Sequence, residues 1–378
     1  MDAFAAADAV YVPSGTLFVS QGISVPAGKV VYSDGALDQT QASHAGTIVR
    51  LTGDIGSQPF LSLGRSCEIR GLTVDANGNA EVALEIPKGS DECRVWNVKA
   101  ANGKTAAFSG DASRLTILGC LFIALEGSGR FAYQCSGADF HVIAVRMIGG
   151  TDATALIDGF YGDYEMVHFQ GSNDTQNDGR VTGNHNHFVQ CRFDGGTGPN
   201  LLVQARGNEF ISCRFYNGRP GQAPSAIRID GTSTDATQNQ IADVFVDGVK
   251  GRTWKYLLEI LGPVGTTRGT ILGSGSCSFC DSPFNVRPAS VGILTNAELA
   301  SRSEFQATLS GDGRTASFRI PHGLLGTPIT AIAQPASADA AASSSFVSEL
   351  GPTDLVISFA TAPPSGKENL AFHVIAAM

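Results

Sequence analysis

A six-residue frame recurs along this chain and limits what it can fold into. Its clearest copy, Phe188-Val189-Gln190-Cys191-Arg192-Phe193, returns 22 residues later as Phe210-Ile211-Ser212-Cys213-Arg214-Phe215. Weaker copies begin at Ile69, Val95, Ile117, Val142, Met166, Ile241 and Ile271, giving nine copies spaced by 26, 22, 25, 24, 22, 22, 31 and 30 residues. Positions one, four and six are mostly apolar or small, the third is small or polar, and the fifth is often Arg, Lys, Thr or Gln. A segment of this kind with Gly and Asn close behind it reads as a β-strand ending in a turn. A unit with one such strand cannot bury its own apolar face, so neighbouring units must stack.

Each unit carries a second short apolar run: Val82-Ile86, Ala106-Ser109, Phe131-Cys135, Ala155-Asp158, Leu201-Ala205, Ala226-Asp230, Leu257-Leu261 and Pro283-Val286. Two or three strands per 22 to 31 residues, with no helix-length pattern between them, is the arithmetic of a parallel β-helix. Leucine-rich repeats would need a denser Leu/Asn consensus, and propeller blades about 40 residues each. Stacked at about 4.8 Å per coil, nine coils make a rod of roughly 40 Å.

Composition narrows the function. The 45 Gly residues and the low charged fraction of 16% suit a turn-rich all-β protein, and a formal charge of -9 argues against a nucleic-acid surface. No apolar run reaches membrane-spanning length and the first residues lack a basic-then-apolar pattern, so the expectation is a soluble chain with no membrane insertion and no secretion signal. Of eight cysteines, Cys120, Cys191 and Cys213 share frame position four, and Cys67 and Cys93 lie two residues before their frames. Free cysteine packs as a small hydrophobe, which predicts a stacked interior ladder of thiols. Cys277-x-x-Cys280 is a lone pair, too little for a zinc site.

Along the chain, Asp2 to Val10 is Ala-rich and predicts about two helical turns plugging the end of the solenoid. The phrases VYVPSGTLFVS and ISVPAGKVVYSDG follow, with Pro and Gly at turns between short strands. This opening resembles the pectate-lyase-like superfamily, which implies a right-handed parallel β-helix. The expected division is a cap and first coil over 1–46, the β-helix over 47–288, a linker over 289–305 and a small β-sandwich over 306–378. Within Val291-Ser303, Thr295 or Asn296 is placed to cap a short helix. The last segment holds six expected strands: Glu304-Leu309, Ala316-Ile320, Ile329-Ala333, Phe346-Ser348, Leu355-Phe359 and Leu370-Ala376.

The phrase Ile320-Pro321-His322-Gly323-Leu324-Leu325-Gly326-Thr327-Pro328, followed by Pro335-Ala336-Ser337-Ala338-Asp339 and Ala362-Pro363-Pro364-Ser365-Gly366, resembles the carboxy-terminal β-sandwich of bacteriophage tailspikes and tail fibres. The resemblance covers about 75 residues there and, more loosely, the coils. It implies a homotrimer clasped by the sandwich and a host surface glycan as partner, lipopolysaccharide or capsule. It further implies contact with virion tail or baseplate proteins through the N-terminal end, assembly in the host cytoplasm and residence in the virion tail. His322, inside the phrase, reads as a structural residue.

No phosphate-binding Gly loop, GxSxG elbow, HExxH or EF-hand loop is present, and the reading implies no cofactor and no metal. Carboxylates on a solenoid face remain, which is where tailspike glycosidases keep theirs. Counting forward from each frame predicts an outward row of Glu85, Ser109, Gln134, Asp158, Arg180, Gln204, Arg228, Glu259 and Asn285 on the second strand of each coil. Asp158, Tyr161, Asp163, Tyr164 and Glu165 crowd carboxylates beside aromatics, as a sugar site needs. Glycoside hydrolysis takes two carboxyl groups about 5 to 9.5 Å apart, so Asp158 is paired with Asp163, Glu165, Asp178 or Asp230 as the catalytic candidates. Tyr161, Tyr164, Gln134, Gln204, Arg206, Arg228 and Glu259 are the candidate glycan contacts. A metal reading of Asp174, Asp178, His185 and His187 competes with a loop whose Asn and Asp residues accept tight-turn backbone, and the loop is preferred. The expectation is a depolymerase that hydrolyses host polysaccharide; the alternatives are a receptor-binding fibre without activity and a bacterial polysaccharide lyase or epimerase.

Overall fold

The computed structural model describes residues 7–35, 46–172, 174–217, 221–247, 252–262, 267, 271–272, 275–277, 280–286, 294–295, 302–322, 327–351 and 353–377, with the backbone alone for 252, 271–295, 302–305 and 377. Among these, three parallel sheets of 12, 11 and 11 strands run the length of a β-solenoid, and two three-stranded antiparallel sheets follow. Every coil contributes one strand to sheet 1, then one to sheet 2, then one to sheet 3. The chain is thus nearly all-β, as the repeat predicts.

The frame itself is two strands rather than one. In the copy at Ile69, Glu68–Arg70 belongs to sheet 1 and Leu72–Asp75 to sheet 2, with Gly71 between them. The third frame position is a corner residue in the left-handed region: Gly71 (φ 73), Asn97 (φ 50), Gly119 (φ 62), Ala144 (φ 53), Gln190 (φ 53), Ser212 (φ 53) and Asp243 (φ 52). That conformation costs Gly nothing and Asn or Asp little, so the small-or-polar preference there is a backbone requirement. Met166 (φ 53) is such a corner too, so this copy begins at Tyr164, which pairs with Phe188, and not at Met166. The copy at Ile271 is shifted the other way, one residue early, since Ile241 pairs with Leu272.

Frame positions one, four and six point inward. Phe188 stacks on Phe210 at 4.7 Å between ring centroids, and Phe193 on both Phe169 at 4.7 Å and Phe215 at 4.9 Å. Identical residues at identical positions meet face to face because successive coils add in register, and each ring pair adds about 0.5–1.5 kcal/mol beyond its burial. The six cysteines whose side chains are described, Cys67, Cys93, Cys120, Cys135, Cys191 and Cys213, are free and buried, the expected interior thiols. Burial pushes Cys120 and Cys135 up to about 12, which keeps them inert. Cys277 and Cys280 lie where side chains are outside the described residues.

A buried asparagine ladder closes the corner before sheet 1. Gly162 N–H donates to Asn186 Oδ1 (2.9 Å), Asn186 N–H to Asn208 Oδ1 (2.9 Å) and Asn208 N–H to Asn239 Oδ1 (3.0 Å). Each amide satisfies the backbone of the coil below it, which a buried loop must arrange somehow.

At the N-terminal end the helix expectation is corrected in part: Ala9–Tyr11 is a strand of sheet 1, while residues 1–6 lie outside the described residues. In the expected linker, Leu294–Thr295 forms the last strand of sheet 1, and the helix expected after Thr295 or Asn296 lies outside the described residues. The six C-terminal strands fall where the sequence places them, as Arg302–Gly311, Ser317–Pro321, Thr330–Pro335, Ser345–Leu350, Asp354–Phe359 and Gly366–Ala377. Ile320, Leu355, Ile357, Phe359, Leu370, Phe372 and Val374 fill the space between the two small sheets. A short helix, Ala338–Ala342, was not foreseen; Ser337 caps it by accepting Ala340 N–H (3.4 Å). His322 is buried, its Nε2–H donating to the Gly351 carbonyl (3.0 Å), a structural role.

Candidate active site

Sheet 1 carries an outward row one residue ahead of each frame start. Thr116, His141, Asp163, His187, Glu209 and Gln240 occupy it on successive coils. Because parallel rungs lie about 4.8 Å apart, these side chains are neighbours. Asp163 sits between two imidazoles, 3.5 Å from His141 Nδ1 and 3.7 Å from His187 Nδ1. His187 Nε2 in turn lies 3.5 Å from Glu209 Oε2. All four side chains are between two- and three-fifths exposed, so the row is open to a ligand.

The strand Asp163–Glu165 alternates outward, inward, outward. Asp163 and Glu165 therefore project from the same face of one rigid strand, their Cα atoms about 6.6 Å apart. Glu165 is flanked in register by Ile143 and Val189 rather than by imidazoles. The carboxylates of Asp163 and Glu209 lie on either side of His187, two rungs apart. On the corner just before the strand, Tyr161 is 61% exposed and stacks on His185, with ring centroids 5.5 Å apart and planes 9° apart. That stacked pair is an aromatic platform at the edge of the carboxylates.

The other expected site residues are placed differently. Tyr164 is fully buried between Tyr133 and Phe188, so it is a core residue and not a glycan contact. Burial pushes its phenol well above the usual value. Asp158 is exposed but lies just past the strand Ala153–Ile157 rather than on it, and accepts a hydrogen bond from Thr182 Oγ1 (2.8 Å). Asp178 is fully buried on sheet 3, with Oδ1 accepting Gly171 N–H (3.1 Å), so it is no surface acid. Asp230 ends its strand and accepts from the Thr232 amide (3.0 Å) and hydroxyl (2.6 Å), a turn-closing role. The sequence pairs Asp158 with Asp163, Glu165, Asp178 or Asp230; of this set the fold puts Asp163 and Glu165 on one face of one strand.

On sheet 3 the outward row is Glu85, Ser109, Gln134, Leu156, Arg180, Leu202, Arg228 and Glu259, with the Asn285 backbone next in register. Asp158 and Gln204 are displaced from it by two residues, because the loops ahead of their strands differ in length from those of the neighbouring coils. Arg180 Nε reaches out of the row to donate to Gln204 Oε1 (3.2 Å). Arg228 and Glu259 form a short ion pair, Nη2 to Oε2 at 2.7 Å, with Glu259 buried. Gln134 is half-buried within the row. Arg206 reaches Asp235 at 3.9 Å. Sheet 3 thus spends its polar groups on one another.

The metal alternative is not assembled. His185 stacks on Tyr161, His187 belongs to the sheet 1 row and Asp178 is interior to sheet 3; among the described residues no three His, Cys, Asp or Glu side chains form a metal-holding group. His141 and Glu209 were missed as site residues, and His187 was weighed only as a metal ligand, although a signal exists. The residue before every frame start is polar from Glu68 to Gln240, and aligning those positions finds the row.

Fold and site together define a β-solenoid with a polar row on one face and an antiparallel sandwich behind it. Solved structures that share this fold include the following. The tailspike protein gp49 from Pseudomonas phage LKA1 matches at a TM-score of 0.55 and 10% identity, over 99% of this chain and 91% of that one. The Dettilon tailspike protein gp208 matches at 0.56 and 9% identity, over 97% and 87%. The A-module of the Azotobacter vinelandii mannuronan C-5 epimerase AlgE4 matches at 0.50 and 11% identity, over 77% and 92%, leaving part of this chain unmatched. No protein-family model and no curated protein sequence matches the chain.

Proposed function

We propose that this chain is a phage tailspike that binds host surface polysaccharide along sheet 1 and depolymerises it by hydrolysis at Asp163 and Glu165. The observation that carries the reading is the alternation of Asp163 and Glu165 on one exposed strand face, with His141 and His187 on the rungs either side of Asp163. Tailspikes with the same fold support it. In the reaction, Glu165 gives its proton to the leaving glycosidic oxygen as the C–O bond breaks, while water adds to the anomeric carbon and yields its proton to Asp163. The two imidazoles orient the Asp163 carboxylate, and the Tyr161–His185 platform stacks a sugar ring beside it. Asp158, on the same corner, is a candidate contact to that sugar.

Incubation with host polysaccharide tests this directly. Chains should shorten with one water added per cut, and Asp163→Asn should keep binding while losing turnover. An unsaturated new end would replace hydrolysis with elimination, a reaction for which a histidine between two carboxylates also serves as base. Binding with unchanged chain length over hours would leave a receptor-binding fibre.

The proposal extends to assembly: the C-terminal sandwich clasps three chains, and the N-terminal end of the solenoid meets the virion tail. Ile329, Ile332 and Phe346, exposed on or beside the edge strands Thr330–Pro335 and Ser345–Leu350, supply apolar surface for such a clasp. Residues 1–290 alone should remain folded and elute as a monomer in light scattering; a trimeric rod without the sandwich would show that the clasp lies elsewhere.

A further inference from the structure

Sheet 2 bears a second outward row that the hydrolysis site does not use. At frame position five, Arg146, His168, Arg192 and Arg214 fall on four successive rungs, followed by Phe245. Two residues further along each strand runs a companion row of Ile148, Gln170, Asp194, Tyr216 and Asp247. Three guanidinium groups in line are unexpected on a chain of net charge -9.

The contacts within these rows are specific. Arg146 donates through Nη2 and Nε to Gln170 Oε1, at 2.6 and 3.2 Å, so its charge is hydrogen-bonded but not neutralised. Arg214 lies over the exposed Phe245 ring, 5.8 Å from its centroid. Among the described residues no carboxylate is within ion-pair range of Arg146 or Arg214. Between them, Asp194 receives Arg192 Nη2 at 2.8 Å and lies 3.5 Å from His168 Nε2, while Arg192 also covers the Tyr216 ring at 5.7 Å. Asp194 shows what the row accepts: a carboxylate held by Arg192 of its own strand and facing the His168 ring on the rung before.

We infer that sheet 2 binds an acidic polysaccharide, laid along the solenoid axis with its carboxylates on Arg146 and Arg214 and its sugar rings against Tyr216 and Phe245. Guanidinium forks match carboxylates, and a pyranose in an extended chain advances by about one rung, about 4.8 Å. Arg146 and Arg214 lie three rungs apart, about 14 Å, so they meet carboxylates on every third sugar of such a chain. The inference rests on the reading that the rod binds host glycan, but not on cleavage at sheet 1.

Carboxymethyl dextran, unmodified dextran and phosphorylated dextran are matched probes for the full chain. Carboxymethyl dextran should bind at low salt, weaken as ionic strength rises, and lose about tenfold or more in affinity in the double variant Arg146→Gln/Arg214→Gln, whose melting temperature should equal the wild type's. Dextran itself should bind no better to wild type than to the variant. Asp163→Asn is the separating control: it should abolish cleavage of host glycan yet leave carboxymethyl dextran binding unchanged, so failure at one face is read apart from failure at the other. The inference is overturned if carboxymethyl dextran binds no more tightly than dextran, if the double variant binds it as well as wild type, or if only the phosphorylated polymer binds. It is overturned equally if the double variant changes the oligomeric state, since sheet 2 would then face another copy of the chain.

Discussion

The outward faces of sheet 1 and sheet 3 are products of one repeat, yet they hold their polar groups in opposite ways. On sheet 3, complementary groups meet at short range: Arg228 with Glu259 at 2.7 Å, Arg180 with Gln204 at 3.2 Å, and Ser62 with Glu85 at 3.4 Å. Burial pushes the Glu85 carboxyl up, against the lowering bond from Ser62. On sheet 1, Asp163, His141, His187 and Glu209 stand 3.5 to 3.7 Å apart and exposed. A ladder of close, half-buried partners is structural, whereas a loose exposed one is available to a ligand, because desolvated pairs are already committed and screened ones are not.

The largest effect should come from the open ladder. Asp163→Asn is expected to lower turnover on host polysaccharide by about 10²- to 10⁴-fold, while Glu259→Gln leaves turnover unchanged. Equal losses in a reducing-end assay would place the chemistry on both faces and break the comparison. Stability should rank differently. Phe210→Ala removes a ring stacked in the core and should cost about 3 to 5 kcal/mol in chemical denaturation, whereas exposed Arg214→Ala should stay within about 0.5 kcal/mol. Equal costs for the two would mean that the inward and outward assignments are exchanged.

Next in size is the committed pair itself. Glu259→Gln weakens a largely buried partner of Arg228 and should destabilise by about 1 to 3 kcal/mol with no catalytic consequence. A neutral outcome would mean that sheet 3, like sheet 1, holds its charges loosely. The smallest effect concerns Asp194 on sheet 2. Burial pushes its carboxyl up, but the His168 imidazole 3.5 Å away and the Arg192 guanidinium outweigh that and hold it below the usual value. Its stabilisation is complete above the ordinary carboxylate range and is lost as pH falls through the lowered value. Asp194→Asn should therefore narrow the stability gap between neutral and acid pH, measured by denaturation at a series of pH values; an unchanged gap would remove the pairing with His168 and Arg192.

Much of the fold follows from the sequence alone, and the reason is local. The repeat spacing, the alternation of apolar positions and the clustering of Gly, Pro and Asn at turns are properties of neighbouring residues, and a stack of equal coils turns them directly into three sheets and an interior of Phe and Cys. The six C-terminal strands were legible for the same reason. What the sequence could not decide was phase. One residue in the left-handed conformation turns each corner, so Met166 can sit where a frame seems to begin while Tyr164 enters the core. Loops of unequal length displaced Asp158 and Gln204 by two positions from the row expected for them. Whether Asp163 faces His187, or Arg228 faces Glu259, depends on which residues of separate coils come to lie one rung apart. Residues 22 to 31 positions apart in the chain are joined only by backbone hydrogen bonding between coils, so the polar rows, and with them the candidate site, were decided by tertiary register.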